Sequence, residues 1–145
     1  MRRLIFALAM LTATLMSCSV QTAEKKASAV AVDTTPPLKR YGALQVKGLQ
    51  LCDKEGNPVQ LAGLSTMGYQ WYGQCYTKES ITKMVKDWHI SVLRLAMYVE
   101  EGGYNYKPEI REEMCNLIDI CEELGIYCIM DWHILTPGNH LDPRY

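Results

Sequence analysis

Residues 124–133 read Leu-Gly-Ile-Tyr-Cys-Ile-Met-Asp-Trp-His, a buried-strand pattern that ends in an acid, an indole and an imidazole. A strand that delivers polar groups at its C-terminal end is how a β/α barrel builds a site. The same kind of ending occurs one unit earlier. There Val92-Leu93-Arg94-Leu95-Ala96-Met97-Tyr98 places one arginine inside an apolar run and a tyrosine at its edge. A complete eight-unit barrel takes roughly 250 residues, and this chain has 145. The fold class is therefore α/β, with about three βα units and a lead-in hairpin forming the N-terminal part of a TIM (β/α)8 barrel.

Working outward, the units alternate. Gln45 to Leu51 alternates in polarity, Asp53 to Pro58 is rich in turn formers, and Val59-Gln60-Leu61 resumes the alternation, which reads as a hairpin-like entry. Leu61 to Thr66 is the first buried strand, followed by an aromatic loop, Met67 to Gly73. Thr77 can cap a helix whose Ile81, Met84, Val85 and Trp88 share a face at helical spacing. After the strand Val92–Tyr98 come a short, flexible Gly-rich loop and Pro108, which suits a first helical turn. Ile110, Met114, Leu117, Ile118 and Cys121 make one apolar stripe, and Gly125 stands where a helix wants a left-handed C-terminal residue. The third strand is Ile126 to Met130, and breakers follow it at 134–139. Strands separated by amphipathic helices imply parallel pairing. An open doubly wound sheet begins the same way, but no Gly-x-Gly-x-x-Gly or phosphate loop supports a nucleotide fold.

The first residues carry a different message. Met1-Arg2-Arg3 precedes an apolar stretch from Leu4 to Leu15 and then Leu15-Met16-Ser17-Cys18, a secretory signal. Its ending resembles a bacterial lipobox, so residues 1–18 read as a lipoprotein-type signal peptide with Cys18 as the lipidated residue. Residues 19–41, rich in Ala, Ser, Thr and Lys, read as a flexible tether, and 42–145 as the incomplete catalytic-type domain. The expected location is an exported, membrane-anchored bacterial lipoprotein, periplasmic or at the cell surface. An ordinary signal peptide with a coincidental Cys18 is the alternative.

Fifteen Lys plus Arg against sixteen Asp plus Glu give a net charge of −1, without a basic cluster in the body. Nucleic acid is excluded as an expected partner, and membrane contact is expected only through the lipid on Cys18. Nine Tyr and three Trp against one Phe suit a surface that stacks on sugars or half-wet core edges alike. Beyond Cys18, Cys52, Cys75, Cys115, Cys121 and Cys128 form no Cys-x-x-Cys spacing, so no metal is expected and these cysteines read as small buried hydrophobes.

Four ordered landmarks carry a resemblance. Val59 to Thr66, Gln70-Trp71-Tyr72-Gly73, Val92 to Tyr98, and Leu124 to Tyr127 running into Asp131-Trp132-His133 together resemble glycoside hydrolase family 5, above all its bacterial endo-β-1,4-glucanases. The likeness spans about residue 42 to 145. It implies a (β/α)8 barrel that cleaves β-1,4-glucan with retention, without metal or organic cofactor, with β-glucan polysaccharide as its partner. No particular protein partner is implied. Retention requires two carboxylates about 5–5.5 Å apart. In the family both are glutamates on the fourth and seventh strands, expected beyond Tyr145, so this chain alone is expected to be unstable and inactive.

What the resemblance assigns to this chain is the supporting set. Arg94 corresponds to an arginine that steadies the nucleophile; the competing reading is a structural salt bridge. His133 corresponds to a histidine that hydrogen-bonds the sugar, against a satisfied core histidine. Tyr98 corresponds to a cleft tyrosine and Trp71, with Tyr72 beside it, to a stacking platform, against packing roles for each. Asp131 and Trp132 read as framework, the indole behind His133. Glu100 and Glu101 read as solvated charges, and His89 and His140 receive no role. Met67 is a departure, since Ser65-Thr66-Met67-Gly68 has methionine where histidine is usual. A polar substrate contact is lost there, which leaves xyloglucan, mannan and lichenan open as substrates. An inactive surface lipoprotein that at most binds glycan is the reading of a different class.

Overall fold

A near-continuous apolar run such as Val92–Tyr98 suits a central strand of a parallel sheet, and the computed structural model, which describes residues 33–135, places it there. Element order is α1 (Pro37–Tyr41), β1 (Gln45–Lys47), β2 (Gln50–Cys52), β3 (Gly63–Ser65), α2 (Tyr69–Tyr72), a single 3-10 turn (Gly73–Cys75), α3 (Lys78–Trp88), β4 (Val92–Tyr98), α4 (Ile110–Leu124) and β5 (Tyr127–His133). β3, β4 and β5 form a parallel sheet in that order. The expected β-α-β-α-β series is present.

Helix α3 forms where the cap was expected. Thr77 Oγ1 accepts from the Ser80 backbone N–H at 3.2 Å while Ser80 Oγ accepts from the Thr77 N–H at 3.0 Å, so two otherwise orphaned donors are satisfied reciprocally. Ile81 is fully buried and Met84 and Val85 pack against the core, but Trp88, on the same face at the end of the helix, is 66% exposed. In α4, Ile110, Met114, Leu117 and Cys121 are buried, and Ile118 lies at the rim of the stripe. Gly125 ends the helix at φ 69°, with its N–H and that of Ile126 donating to the Cys121 carbonyl. Against these two helices the sheet sets Leu93, Leu95 and Met97, and Ile90 and Ile126 close the layer. Each such side chain contributes roughly 1.5–3 kcal/mol on burial.

Four expectations are corrected. Gln45 to Leu51 is not one strand: Gly48, at φ 63°, turns the chain so that Lys47 pairs with Gln50 and the hairpin closes on a two-residue loop. The Asp53–Pro58 turn does form, its Asp53 carboxylate accepting from the Glu55 and Asn57 N–H groups, and Val59 hydrogen-bonds back to Leu51. The aromatic stretch expected as a loop is helical over Tyr69–Tyr72. The third strand runs three residues further, because pairing with β4 continues through Ala96–Asp131, Met97–Trp132 and Tyr98–His133.

The fourth correction concerns the tether. Residues Pro37–Tyr41, assigned to it, are a short helix bound to the body: the Leu38 N–H donates to the Gly125 carbonyl at 2.9 Å, and Arg40 pairs with Asp33. The Tyr127 hydroxyl donates to the Gly42 carbonyl at 2.6 Å. Two prolines preset this turn, so an apolar stripe is not needed to form it. Residues 1–32, with the signal segment and Cys18, and residues 136–145, with His140, lie outside the described residues.

The five described cysteines are free thiols. Cys52 and Cys121 are buried, as expected of small hydrophobes, whereas Cys75 and Cys115 are exposed. Cys121 and Cys128 share a hydrogen bond. It pushes the Cys121 thiol up, with burial adding to the effect, and holds that of Cys128 down.

Candidate functional site

Residues two apart on a strand share a face, and the register aligns three polar or aromatic rows on the face of the sheet opposite the helices. Ser65, Arg94 and Ile129 form the first row, Ala96 and Asp131 the second, Tyr98 and His133 the third, at the C-terminal end. Arg94 links all three strands. Its Nη1 donates to Ser65 Oγ at 2.6 Å, and its Nη2 donates to Asp131 Oδ2 at 2.5 Å and lies 3.2 Å from His133 Nδ1. His133 Nδ1 is 2.8 Å from the same Asp131 oxygen. The Arg94 side chain is 36% exposed, held by these partners while still meeting solvent.

Above this cluster three rings stand in a row. Tyr98 lies with its centroid 4.3 Å from the His133 ring and 4.9 Å from that of Trp71, tilted at 42° and 60° respectively. Trp71 reaches the row from α2, and α2 is held from two sides. Tyr69 Oη donates to Glu113 on α4 at 3.2 Å, and Gln70 Nε2 donates to the Glu101 carbonyl at 3.4 Å. Burial, and then the Glu113 carboxylate, push the Tyr69 phenol up. Trp71 remains 41% exposed, as a platform for a ligand must.

Arg94, Tyr98, His133 and Trp71 are thus brought together. Tyr72, on the same short helix as Trp71, is exposed and makes none of the ring contacts of the row; Met67, 56% exposed, sits two residues beyond β3, its N–H donating to Tyr76 Oη. Trp132 does not pack behind His133. As its strand neighbour it points to the other face and meets Tyr104 at 5.4 Å. Glu101 is exposed in a left-handed turn, and the Glu100 carbonyl accepts from Gly103. His89 ends α3 in a left-handed conformation, away from the site.

Two contributors escape sequence reasoning. Ser65 supplies the oxygen for Arg94, and the buried Thr66 accepts from the Ala96 N–H through Oγ1 at 2.9 Å, locking the end of β3 to β4. The loop after β4 is tight rather than flexible: an added Cβ at Gly103 would lie 1.9 Å from the Tyr98 carbonyl oxygen. Gly103→Ala is expected to cost about 1–3 kcal/mol, measured by urea unfolding, and to part Tyr98 from Trp71, measured as loss of near-ultraviolet circular dichroism.

Residues 52–143 match the profile described as Cellulase (glycosyl hydrolase family 5). The chain belongs to that family. It is 49% identical over 113 residues to endoglucanase E-5 of Thermobifida fusca and 42% identical over 113 residues to endoglucanase CelA of Streptomyces lividans. Each match covers 77% of this chain and 24% of the relative, so this family 5 chain spans about a quarter of the length of either. Among solved structures, the catalytic domain of the Thermobifida fusca endoglucanase matches at 48% identity with a TM-score of 0.69, covering 72% of this chain and 34% of that one. A variant of that domain, solved with cellotetraose, matches equally. The alkaline cellulase K catalytic domain matches at 36% identity and a TM-score of 0.69, covering 74% and 31%. The parallel β3-β4-β5 sheet and its helices are the N-terminal part of the family 5 barrel.

Proposed function

We propose that this chain is the N-terminal part of a retaining endo-β-1,4-glucanase and that its strand-end face is one wall of the β-glucan cleft. The observation that carries this is the Trp71–Tyr98–His133 row standing over Arg94 and Asp131. A β-linked glucose ring offers flat C–H faces to an indole and a rim of hydroxyls to phenol and imidazole. Exposed aromatic and polar groups at a strand C-terminal edge supply both kinds of contact. The relatives named above as endoglucanases, and the cellotetraose complex of one of them, support the choice of ligand.

In this reading the chain binds and orients. Trp71 carries a sugar ring, Tyr98 and His133 hold hydroxyls, and Arg94 directs positive charge toward the centre where a carboxylate nucleophile works. The nucleophile and the acid–base carboxylate come from sequence beyond this chain. Met67 offers a thioether rather than a strong donor, so its contact to a sugar is apolar. The substrate range accordingly includes xyloglucan, mannan or lichenan as competitors to cellulose.

The whole protein, with this chain at its N-terminus, tests the reading. Carboxymethylcellulose should lose viscosity and the first product should be the β-anomer by proton NMR; no loss of viscosity, or an initial α-anomer, counts against it. Export with a lipid on Cys18 belongs to the same proposal, supported by the Leu15-Met16-Ser17-Cys18 ending. A palmitate analogue is expected to label the protein and Cys18→Ser to abolish the label. A labelled Cys18→Ser protein contradicts the anchor.

A further inference from the structure

Two groups, Asp131 Oδ2 and Arg94 Nη2, face a single imidazole nitrogen, His133 Nδ1, and compete for it. His133 Nδ1 lies 2.8 Å from Oδ2 and 3.2 Å from Arg94 Nη2, while Nη2 itself lies 2.5 Å from Oδ2. A guanidinium nitrogen only donates and a carboxylate oxygen only accepts, so Nδ1 cannot answer both. With a lone pair on Nδ1, two acceptors would face each other at 2.8 Å, in exchange for a long bond from an Nη2 already engaged at 2.5 Å. With a proton on Nδ1, the 2.8 Å contact becomes a charge-assisted hydrogen bond, roughly twice as strong as a neutral one. The second arrangement wins.

We infer that Asp131 is a positioning residue: it holds the His133 ring in the Nδ1–H tautomer, so that Nε2 meets a ligand as a hydrogen-bond acceptor. The same oxygen clamps the Arg94 guanidinium, and the Tyr98 ring 4.3 Å away limits rotation of the imidazole. The ligand group recognised at Nε2 is then an O–H that donates, as a sugar hydroxyl does. Naming that ligand rests on the β-glucan reading, whereas the tautomer does not.

Nitrogen-15 histidine labelling of the full chain, read by long-range proton–nitrogen correlation at about pH 8, above the ordinary histidine range, tests this directly. The chain has three histidines, His89, His133 and His140, and His133→Gln assigns the signal. His133 is expected to carry its proton on Nδ1. In Asp131→Ala the Arg94 donor is the remaining neighbour of Nδ1, and the proton is expected to move to Nε2. In Arg94→Met the carboxylate remains, and Nδ1–H is expected to persist. An Nε2–H tautomer in the parent chain, or Nδ1–H retained in Asp131→Ala, overturns the inference, and the parent spectrum alone decides if a variant fails to fold. The measurement contains no glycan. Nδ1–H together with a whole protein, carboxylate pair included, that hydrolyses no glucan refutes the proposed function and leaves this inference standing; an active whole protein with His133 in the Nε2–H form does the reverse.

Discussion

Incubated by itself with carboxymethylcellulose, the 145-residue chain is expected to release no reducing ends above a buffer blank. Retaining hydrolysis needs two carboxylates about 5–5.5 Å apart. Among the described residues, the rows on the site face of the sheet contain one, Asp131, and its Oδ2 is already engaged by Arg94 and His133. Glu101 lies exposed beyond the strand in a turn of its own. General acid–base catalysis by a positioned group contributes roughly 10²–10⁴-fold, so a wall without the pair falls short by at least that factor. Reducing-sugar release that vanishes in Asp131→Asn would contradict the prediction, since it would make Asp131 a reacting group rather than a positioning one.

Leu95→Ala is expected to have the largest effect on stability. Leu95 lies in the middle of the central strand, fully buried among the side chains of α3 and α4. Its truncation removes transfer free energy and leaves a cavity, a loss of about 2–5 kcal/mol. A domain holds about 5–15 kcal/mol in total, so this loss is a large fraction of it. Ile129, Met130 and Trp132 on the edge strand β5, and Leu135 just after it, remain substantially exposed. Measured in the whole protein, Leu95→Ala is expected to lower the midpoint of the cooperative urea transition, followed by circular dichroism. Trp88→Ala, which removes a larger but 66% exposed side chain, is expected to keep the parent midpoint. Equal midpoints for Leu95→Ala and the parent would contradict the assignment of the core.

Legibility in the sequence followed the length of each periodic signal. Strand β4 runs from Val92 to Tyr98 as read, because a seven-residue apolar run interrupted by one arginine admits few other arrangements. Helix α3 was legible because a cap and a stripe agreed, and α4 because a stripe and a left-handed terminator did. The hairpin within Gln45–Cys52 was not, since three residues on either side of a two-residue turn at Gly48-Leu49 are too few to establish a period. Helix α2 has four residues, too few for any period, and is held by the distant partners Glu113 and Glu101. α1 likewise depends on a hydrogen bond to Gly125, nearly ninety residues away. In the site, Arg94, Tyr98, Asp131 and His133 stood out as polar or aromatic ends of apolar strands. Ser65 and Thr66 did not, because a hydroxyl at a strand end is common and its partner becomes visible only with the register.

The wall itself is tested most directly by titrating cellotetraose into the whole protein and following the indole N–H signals of the three tryptophans of this chain. Trp71 stands beside Tyr98 in the proposed cleft, Trp88 lies on α3, and Trp132 meets Tyr104 on the other face of the sheet. A shift at Trp71 that saturates, with Trp88 unmoved, is the expected result. A Trp71 signal that stays in place, or a shift no larger than that of Trp88, would contradict the account.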